Sequence, residues 1–491
     1  MDKIKIIISV FGSFLNSALG WVFFYLIREF FNISLVADYG VILSFLGIFS
    51  FIADLGFATA HLKFYPQSKN EIDKGINNGT FLFFRIIQYF IYTTIVFTFF
   101  FFFNTKFSFS LFFIFFLGEL LRVISYNLFF FILLSEKQVS KKLIISLTIV
   151  FFKIIILIIL ILNFQNNLYI LGIDILCSRI LLFTILLFII RKFKFLMATL
   201  NSIKKYIIFS LPYFIITTTN IVTINIDIIF LELWYDPLDV ANYFTAKEIY
   251  TFINSMLISI GYVILPSFSS KISDNKQIKK DITKLHKFLN IFLFLLFIIV
   301  SNLGNFLINL VFGSEYDKSS LLLSFLVFYL CLSTLDQGIR IYLQSIGNLK
   351  MLAFIMVSQN FLTVLLMYFF ISPDFFNLGA LGCGLGLILG NIIIQIIYRP
   401  LIYLKYKIGF YWGFFRNFIL SIFLIFIHYI IIKYISINYF IFFLLFLFYF
   451  LFYFLMLYLT KGLNIKDLKF ILNTFNPKII MKTVNSEFKK N

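Results

Sequence analysis

Long apolar stretches separated by short polar turns run through almost the whole chain. Typical examples are IKIIISVFGSFLNSALGWVFFYLI and KLIISLTIVFFKIIILIILIL, each near the roughly 20 residues that a helix needs to cross a bilayer. The pattern predicts an all-α polytopic membrane protein with about fourteen transmembrane helices. The predicted spans are residues 4–27, 38–62, 77–103, 107–134, 141–163, 168–190, 206–232, 240–265, 286–312, 320–345, 350–371, 377–404, 411–433 and 437–460.

Composition supports a membrane protein, because 61% of the chain is hydrophobic and only 13% is charged, whereas soluble domains are closer to half apolar. The three cysteines and three histidines are scattered, with no CxxC motif and no His cluster. We therefore expect neither a disulfide nor a metal site, and no cofactor beyond a coupling ion. The chain also has no GxxxxGK[ST] loop for nucleotide hydrolysis.

The distribution of basic residues predicts the orientation of the spans. Cytoplasmic loops hold an excess of Lys and Arg, and with both termini inside, the predicted outer loops contain only four basic residues: Arg28, Lys106, Lys318 and Lys433. The remaining loop and tail cations fall in inner segments. The net charge of +19 is thus mostly a topology signal, and we expect a multi-pass protein of the cytoplasmic (inner) membrane.

The loops are short, and the longest polar piece is the basic cytoplasmic tail, residues 461–491. Ile465, Leu468 and Leu472 recur there at helical spacing, as in a helix lying on an anionic inner leaflet. Without a sizeable external loop there is little room for an active site that transfers or polymerises sugars, so we do not expect an enzyme. Nor is there a basic folded surface for nucleic acid.

A short internal match suggests a duplicated architecture. The sequence Val36-Ala37-Asp38-Tyr39 can be laid over Val240-Ala241-Asn242-Tyr243 at an offset of 204 residues. Because six helices separate the copies, the halves would share one orientation, as in a parallel repeat about a pseudo-twofold axis along the membrane normal. A chance match in so biased a composition is the alternative. The predicted parts are six-helix lobes at 1–195 and 196–405, two added helices at 406–460, and the tail.

Cations inside apolar spans are the candidate binding residues, since charge is costly in hydrocarbon and so points to function. Arg122 and Lys153 lie too far from either helix end to reach the interface, and they must face protein or water. Buried cations suggest an anionic cargo. The cations within spans are Arg85, Arg122, Lys153, Arg179, Lys247 and Arg340. The candidate substrate-binding residues are the last five of these together with Arg28 of the first outer loop.

Carboxylates in the same spans are candidates for ion pairs or for a coupling proton or sodium ion. Arg122 follows Glu119 by three residues and Arg340 follows Asp336 by four, and both spacings allow an ion pair within the helix. Each of these two arginines is therefore explained equally well by a structural ion pair and by cargo binding. Asp174 and Arg179 are five residues apart, about 140° around the helix, and need partners elsewhere. Asp54 is explained equally well as a residue that caps or stabilises the inner end of its helix. The full set is Asp54, Glu119, Asp174, Asp227, Glu232 and Asp336.

Pro212 lies near the inner end of its predicted span, where it removes a backbone hydrogen bond and can act as a hinge. Three glycines in the twelfth span, at GxxxG spacing, favour close helix packing. Neither feature identifies a cargo.

Several segments, in order, resemble a known family: IREFFNISLVADYG, FIADLGFATAHLKFY, DIIFLELWYDPLDVANYFTAKEIY, INLVFGSEYDKSSLLL, LQSIGNLK and NLGALGCGLGLILGN. They are similar to the polysaccharide transport branch of the MOP exporter superfamily, which includes Wzx-type O-antigen flippases. The resemblance covers most of residues 1–404 and most directly concerns Arg28 and Lys247. It implies two MATE-like six-helix lobes that flip a polyprenyl diphosphate-linked oligosaccharide by alternating access, coupled to an ion gradient.

That resemblance also implies partners: membrane lipid, the lipid-linked oligosaccharide and the polysaccharide polymerase or assembly machinery. Two alternatives stay open at this stage. A cation-coupled exporter of drugs or metabolites would share the fold, although a cavity for cationic drugs should be mainly acidic. A membrane scaffold for envelope assembly would carry the same charges without transport.

Overall fold

The predicted apolar spans form α-helices in the computed structural model, which describes residues 3–53, 55–102, 107–136, 138–164, 167–269, 275–434 and 438–464. Within these residues there are fifteen α-helices and no strand. They are α1 (Lys3–Phe30), α2 (Ile33–Phe49), α3 (Phe57–Phe64), α4 (Glu71–Phe102), α5 (Phe109–Ser135), α6 (Val139–Asn163), α7 (Leu168–Ile190), α8 (Leu200–Trp234), α9 (Pro237–Ser269), α10 (Asn275–Phe312), α11 (Asp317–Ser345), α12 (Leu349–Ile371), α13 (Ala380–Tyr406), α14 (Gly413–Ile432) and α15 (Tyr439–Leu459).

Twelve of these helices are, within the described residues, long and apolar enough to cross a membrane. The two remaining predicted spans, the first and the eighth, fall on the long helices α1 and α9. The all-α, multi-span class is therefore confirmed. The predicted tail helix and Asp54 lie outside the described residues.

Polar side chains at the chain turns explain where several helices begin. Asn32, Ser108, Asn167 and Asn438 each accept a hydrogen bond from the backbone N–H three residues later. Such N-caps satisfy donors that have no partner in the first helical turn. At the start of α8, Thr199 and Ser202 cap each other reciprocally. These caps fix the helix registers that place the charged residues described below.

The predicted second span, residues 38–62, is wrong as one continuous helix. It is divided into α2, a 3₁₀ turn (Ser50–Ala53) and α3. Gly56 has φ +78°, in the left-handed region, and a Cβ there would lie 2.8 Å from the Ser210 carbonyl oxygen. Only glycine fits this conformation and this close approach to α8. Buried apolar residues lie on both sides of the break, Ile52 before it and Ala58 after it, so the hydrophobic pattern does not reveal the break.

Packing divides the chain into two units. The amino-terminal unit comprises residues 14–244 and 349–379, and the carboxy-terminal unit comprises the described residues of 1–13, 245–348 and 380–491. The amino-terminal unit thus includes α12 as well as α2–α8 and α1 from residue 14 onward, so packing does not simply follow chain order. The lobe boundaries at residues 195 and 405 stay a prediction.

A buried core of apolar and aromatic side chains holds one end of the amino-terminal unit together. It joins α3, α4, α5, α6, α7 and α8. His61 is fully buried there, stacked on Phe81 at 4.4 Å between ring centroids, and its Nδ1 lies 3.1 Å from the Tyr206 hydroxyl. This histidine has a packed, structural setting.

Matching positions of the predicted repeat are alike in burial, and the repeat itself stays a prediction. Val36 and Ala37 are fully buried, as are Val240 and Ala241. Gly40 and its repeat mate Phe244 are neighbours, since a Cβ on Gly40 would lie 2.8 Å from the Phe244 ring. The glycine therefore makes room for the aromatic side chain at the matching position.

Candidate functional site

Three neighbouring helices of the amino-terminal unit carry charges near their middles. Helices α5, α6 and α7 pack pairwise. Arg122 is the central residue of α5 and Arg179 is the central residue of α7, roughly 16–20 Å from each helix end at 1.5 Å per residue. Lys153 lies in the interior of α6. The fold therefore gathers at one level three cations that the sequence separates widely.

Two glycines let α5 and α7 approach closely enough for this. A Cβ on Gly118 would lie 2.6 Å from Cγ2 of Ile175, and one on Gly172 would lie 3.0 Å from Cγ2 of Ile114. A larger residue at either position would separate the helices, because small residues are what allow close packing of membrane helices. Glu119 follows the first glycine directly, so the close approach also sets its position.

The charged residues of these helices form one electrostatic group, which we call the mid-helix cluster: Glu119, Arg122, Lys153, Asp174 and Arg179. Arg122 Nε lies 2.6 Å from Glu119 Oε2, the intrahelical pair allowed by the spacing. The Glu119 carboxylate also interacts electrostatically with Arg179 and Lys153. Asp174 interacts with Lys153 and Arg179. The cluster thus holds three cations and two carboxylates.

Aromatic side chains surround the cluster. The Lys153 ammonium lies 3.5 Å from the centroid of the Phe23 ring, a cation–π contact that stabilises a charge away from water. Tyr92 of α4 is fully buried, stacks on Phe116 at 6.0 Å, and interacts electrostatically with Glu119 and Arg122. Tyr92 belongs to this site although the sequence pattern did not single it out.

Asp174 differs from the other carboxylate of the cluster in its hydrogen bonding. Its side chain is fully buried, yet neither carboxylate oxygen accepts a hydrogen bond among the described residues. Its charge is compensated only by the nearby cations Lys153 and Arg179. A charged, buried carboxylate without hydrogen-bond donors costs free energy. Protonation of Asp174, or binding of a cation to it, would relieve that cost.

The carboxy-terminal unit contains a second charged group, which we call the Asp336 network: Asp336, Asn391, Gln395, Tyr398 and Arg399. Asp336 Oδ2 accepts hydrogen bonds from Asn391 Nδ2 at 2.9 Å and from Gln395 Nε2 at 3.2 Å. The Tyr398 hydroxyl donates to Asp336 Oδ1. Arg399 Nη2 lies 3.6 Å from the same oxygen. This carboxylate is fully provided with donors.

The ion-pair partner of Asp336 is Arg399 rather than Arg340, which the sequence spacing allowed. Among the described residues Asp336 forms its ion pair with Arg399, and Arg340 Nη2 donates to the Ser333 carbonyl at 3.3 Å. Arg399 lies inside the predicted span 377–404 but is not among the candidate cations, and its side chain is only 11% exposed. A readable sign was the spacing of Asn391, Gln395 and Arg399, which puts three polar residues on one face of α13.

The remaining predicted site residues lie outside the two groups. Arg28 and Glu232 are half-buried in the last turns of α1 and α8, and neither is among the charged neighbours of Glu119 or Asp174. Asp227 Oδ2 accepts a hydrogen bond from the Tyr243 hydroxyl at 2.6 Å. Lys247 is buried on α9, in the carboxy-terminal unit.

Pro212 lies inside the continuous helix α8 and lines a small apolar recess with Phe64 and Phe209. Its hinge role stays a prediction. Among the residues that the structure describes, no three His, Cys, Asp or Glu side chains are grouped to hold a metal ion.

Many apolar helices, three of which carry a partly buried, cation-rich cluster, indicate a polytopic membrane protein. Residues 4–272, more than half of the chain, match the family model described as polysaccharide biosynthesis protein. The chain belongs to this family, and the predicted membership is confirmed. No curated protein matches the sequence.

Solved structures share the fold. The lipid II flippase MurJ in an inward closed conformation superposes with a TM-score of 0.64 at 16% identity, over 88% of this chain and 97% of that one. A MOP superfamily transporter from Pyrococcus furiosus Vc1 superposes with a TM-score of 0.61 at 14% identity, over 82% of this chain and 95% of that one. A MATE transporter in complex with MaL6 superposes with a TM-score of 0.61 at 14% identity, over 86% of this chain and 95% of that one. The fold is therefore that of MATE and MurJ transporters.

Proposed function

We propose that this protein moves a polyprenyl diphosphate-linked oligosaccharide from the inner to the outer leaflet of the cytoplasmic membrane. The cation excess of the mid-helix cluster carries the proposal. A diphosphate must cross about 30 Å of hydrocarbon, and cations held at mid-depth offset the loss of its hydration. Membership of a polysaccharide biosynthesis family supports a glycan on this lipid.

In the proposed mechanism the diphosphate competes with Glu119 for the guanidinium of Arg122. Arginine binds phosphate oxygens through two parallel hydrogen bonds, so Arg122 and Arg179 hold the head while Lys153 adds a point charge. Arg28, Lys247 and Arg340 are further proposed substrate contacts. Alternating access then exposes the bound head first to the inner and then to the outer side, with Pro212 as a proposed hinge.

Coupling to a proton or sodium ion is the second part of the proposal. Asp174 is the favoured coupling residue, because its oxygens accept no hydrogen bond among the described residues and its nearest charges are cations. Neutralising Asp174 would leave Lys153 and Arg179 available to the cargo. Asp54, Glu119, Asp227, Glu232 and Asp336 are the other candidates, and Asp336 has the most hydrogen-bond donors.

The cargo we propose is an O-antigen, capsule or related repeat unit, passed on to polysaccharide polymerase or assembly machinery. Both termini are proposed to be cytoplasmic, following the positive-inside rule. The cluster supports recognition of the diphosphate, which all these cargoes share.

The proposal is tested by the leaflet distribution of lipid-linked glycan in cells that lack the protein and any second flippase. An external glycosidase digests only glycan on the outer leaflet. We expect inner-leaflet accumulation that is relieved by the wild type but not by Arg179→Ala. The matched control is Arg191→Ala, because Arg191 is exposed at the end of the same helix, 5.1 Å from the Phe188 ring. An unchanged glycan distribution without the protein overturns the proposal.

A cation-coupled exporter of drugs or metabolites is the second candidate, favoured by the fold shared with MATE transporters. The cation excess of the mid-helix cluster argues against cationic drugs as cargo. Drug susceptibility of the same deletion strain, with normal glycan distribution, would favour this candidate instead.

A further inference from the structure

A lysine-lined pocket lies in the amino-terminal unit where the beginnings of α4 and α6, the ends of α5 and α7 and the segment after α7 come together. Its volume is about 370 Å³, within the range of pockets that bind small ligands. Its charged lining residues are Glu71, Lys74, Glu136, Lys141, Lys192 and Lys194. These residues are distinct from the mid-helix cluster.

The two carboxylates of the pocket already have partners. Lys74 Nζ lies 2.8 Å from Glu71 Oε1, and the Tyr65 hydroxyl donates a hydrogen bond to Glu136. Burial of Tyr65, together with that bond, raises the pKa of its phenol, which remains a neutral donor. Within the described ranges, the ammonium groups of the other three lysines form no ion pair. The pocket therefore has cationic groups available for an anion.

Asn78 adds an acceptor to this pocket. It is 2% exposed, and its Nδ2 donates to the Lys194 carbonyl at 3.0 Å. Its Oδ1 is buried and accepts no hydrogen bond among the described residues. Buried acceptors normally have a partner, and a ligand hydroxyl would supply one.

The wall beside Asn78 is held firmly against α4. The Leu196 N–H donates to the Gly75 carbonyl at 2.9 Å, and a Cβ on Gly79 would lie 1.7 Å from the Leu196 carbonyl oxygen. The glycine at position 79 therefore lets the segment after α7 lie directly on the helix. The pocket is formed by fixed backbone rather than by side chains alone.

We propose that this pocket is a second anion site, which binds a phosphate group carrying a hydroxylated substituent. Lys141, Lys192 and Lys194 attract the phosphate, and basic pockets between membrane helices are known to bind lipid head groups. Asn78 Oδ1 accepts from the hydroxyl. Two lipids have this chemistry: a glycerophospholipid such as phosphatidylglycerol, and the sugar diphosphate end of a lipid-linked oligosaccharide. Only the second source rests on the proposed flippase function.

The test is binding of phosphatidylglycerol to the purified full-length chain in detergent, measured by native mass spectrometry with neutral phosphatidylcholine as the reference lipid. We expect phosphatidylglycerol to bind more tightly to the wild type. The triple variant Lys141→Gln/Lys192→Gln/Lys194→Gln should bind it roughly tenfold more weakly. The control triple Lys279→Gln/Lys280→Gln/Lys284→Gln removes the same charge from α10, in the other unit, and should leave the affinity unchanged.

A gain in affinity provides a test that misfolding cannot imitate. Glu136→Gln removes a negative charge from the pocket and keeps an acceptor for the Tyr65 hydroxyl. We expect this variant to bind phosphatidylglycerol a few-fold more tightly than the wild type. Equal wild-type affinity for the two phospholipids, or an unchanged affinity in the pocket triple, overturns the proposal.

Competition identifies the source of the phosphate. A polyprenyl diphosphate monosaccharide that displaces phosphatidylglycerol from the wild type, with displacement weakened in the pocket triple, assigns the pocket to the cargo. Lack of displacement assigns it to the phospholipid. Because phosphatidylglycerol binding is measured without transport, failure of the flippase function would leave this result standing, and the two failures are distinguishable.

Discussion

Asp174 and Asp336 are both buried in the interior of their helices, but their surroundings differ. Asp336, in the carboxy-terminal unit, accepts hydrogen bonds from Asn391, Gln395 and Tyr398 and pairs with Arg399. Asp174, in the amino-terminal unit, accepts none among the described residues and is balanced only by neighbouring cations. One carboxylate is fixed by direct bonds, whereas the other is held by charge alone.

The contrast separates stability from function. A buried charge with good hydrogen bonds is structural, and removing it leaves its partners unsatisfied. A buried charge without hydrogen bonds can change its protonation state or its ion-pair partner at little structural cost. We therefore expect substitutions in the Asp336 network to impair folding first, and substitutions in the mid-helix cluster to impair transport first.

The largest expected effect is on the Asp336 network. Asp336→Ala would remove the acceptor of Asn391 Nδ2 and of the Tyr398 hydroxyl and the counter-charge of Arg399, so we expect a loss of about 3 kcal/mol in unfolding free energy. Thermal unfolding of the purified protein in detergent measures this loss. Asp336→Asn keeps one acceptor oxygen and should lose less. Equal stability of Asp336→Ala and wild type would contradict a structural role.

The next effect concerns the close approach of α5 and α7. Gly118→Ala places a methyl group 2.6 Å from Cγ2 of Ile175, and overpacking of this kind costs about 1–3 kcal/mol. Because the same contact sets Glu119, transport should fall as well.

The matched control for that substitution is Gly20→Ala, since a Cβ at Gly20 meets nothing within 4 Å. It should be neutral or slightly stabilising in unfolding experiments, because alanine favours helix more than glycine does. If both variants unfold like the wild type, the glycine contact does not position the cluster.

The smallest expected change in stability is at Asp174. Asp174→Asn removes a charge that accepts no hydrogen bond among the described residues, so we expect the unfolding free energy to change by less than about 1 kcal/mol. Leaflet-resolved glycan export should nevertheless lose its dependence on the ion gradient, measured with and without an ionophore. A destabilisation as large as that of Asp336→Ala would remove the distinction between the two carboxylates.

Most of the helical fold could be predicted from the sequence, because a 20-residue apolar run has few alternatives in a membrane. The break after α2 could not. It depends on the positive φ of Gly56 and on its contact with α8, and neither changes the hydrophobic pattern. The polar start of α10 was likewise outside the predicted span, since an apolar window misses a helix that continues beyond hydrocarbon.

The members of the mid-helix cluster were predictable one by one, because charges deep in apolar spans are rare. Their association was not, since it requires the packing of α5 against α7 through Gly118 and Gly172. The pairing of Asp336 with Arg399 was also missed, because sequence spacing reveals neighbours on one helix and not across two. The polar stripe on α13 was the only available sign of it.

Affinity of the purified chain for polyprenyl diphosphate, in nanodiscs of neutral lipid, tests the central claim most directly. Losing a charge-assisted hydrogen bond to phosphate should weaken binding about tenfold or more. We therefore expect such weakening in Arg122→Gln and in Arg179→Gln, and wild-type affinity in Arg191→Gln. Equal affinity in all four proteins would contradict the assignment of the mid-helix cluster as the site that binds the diphosphate.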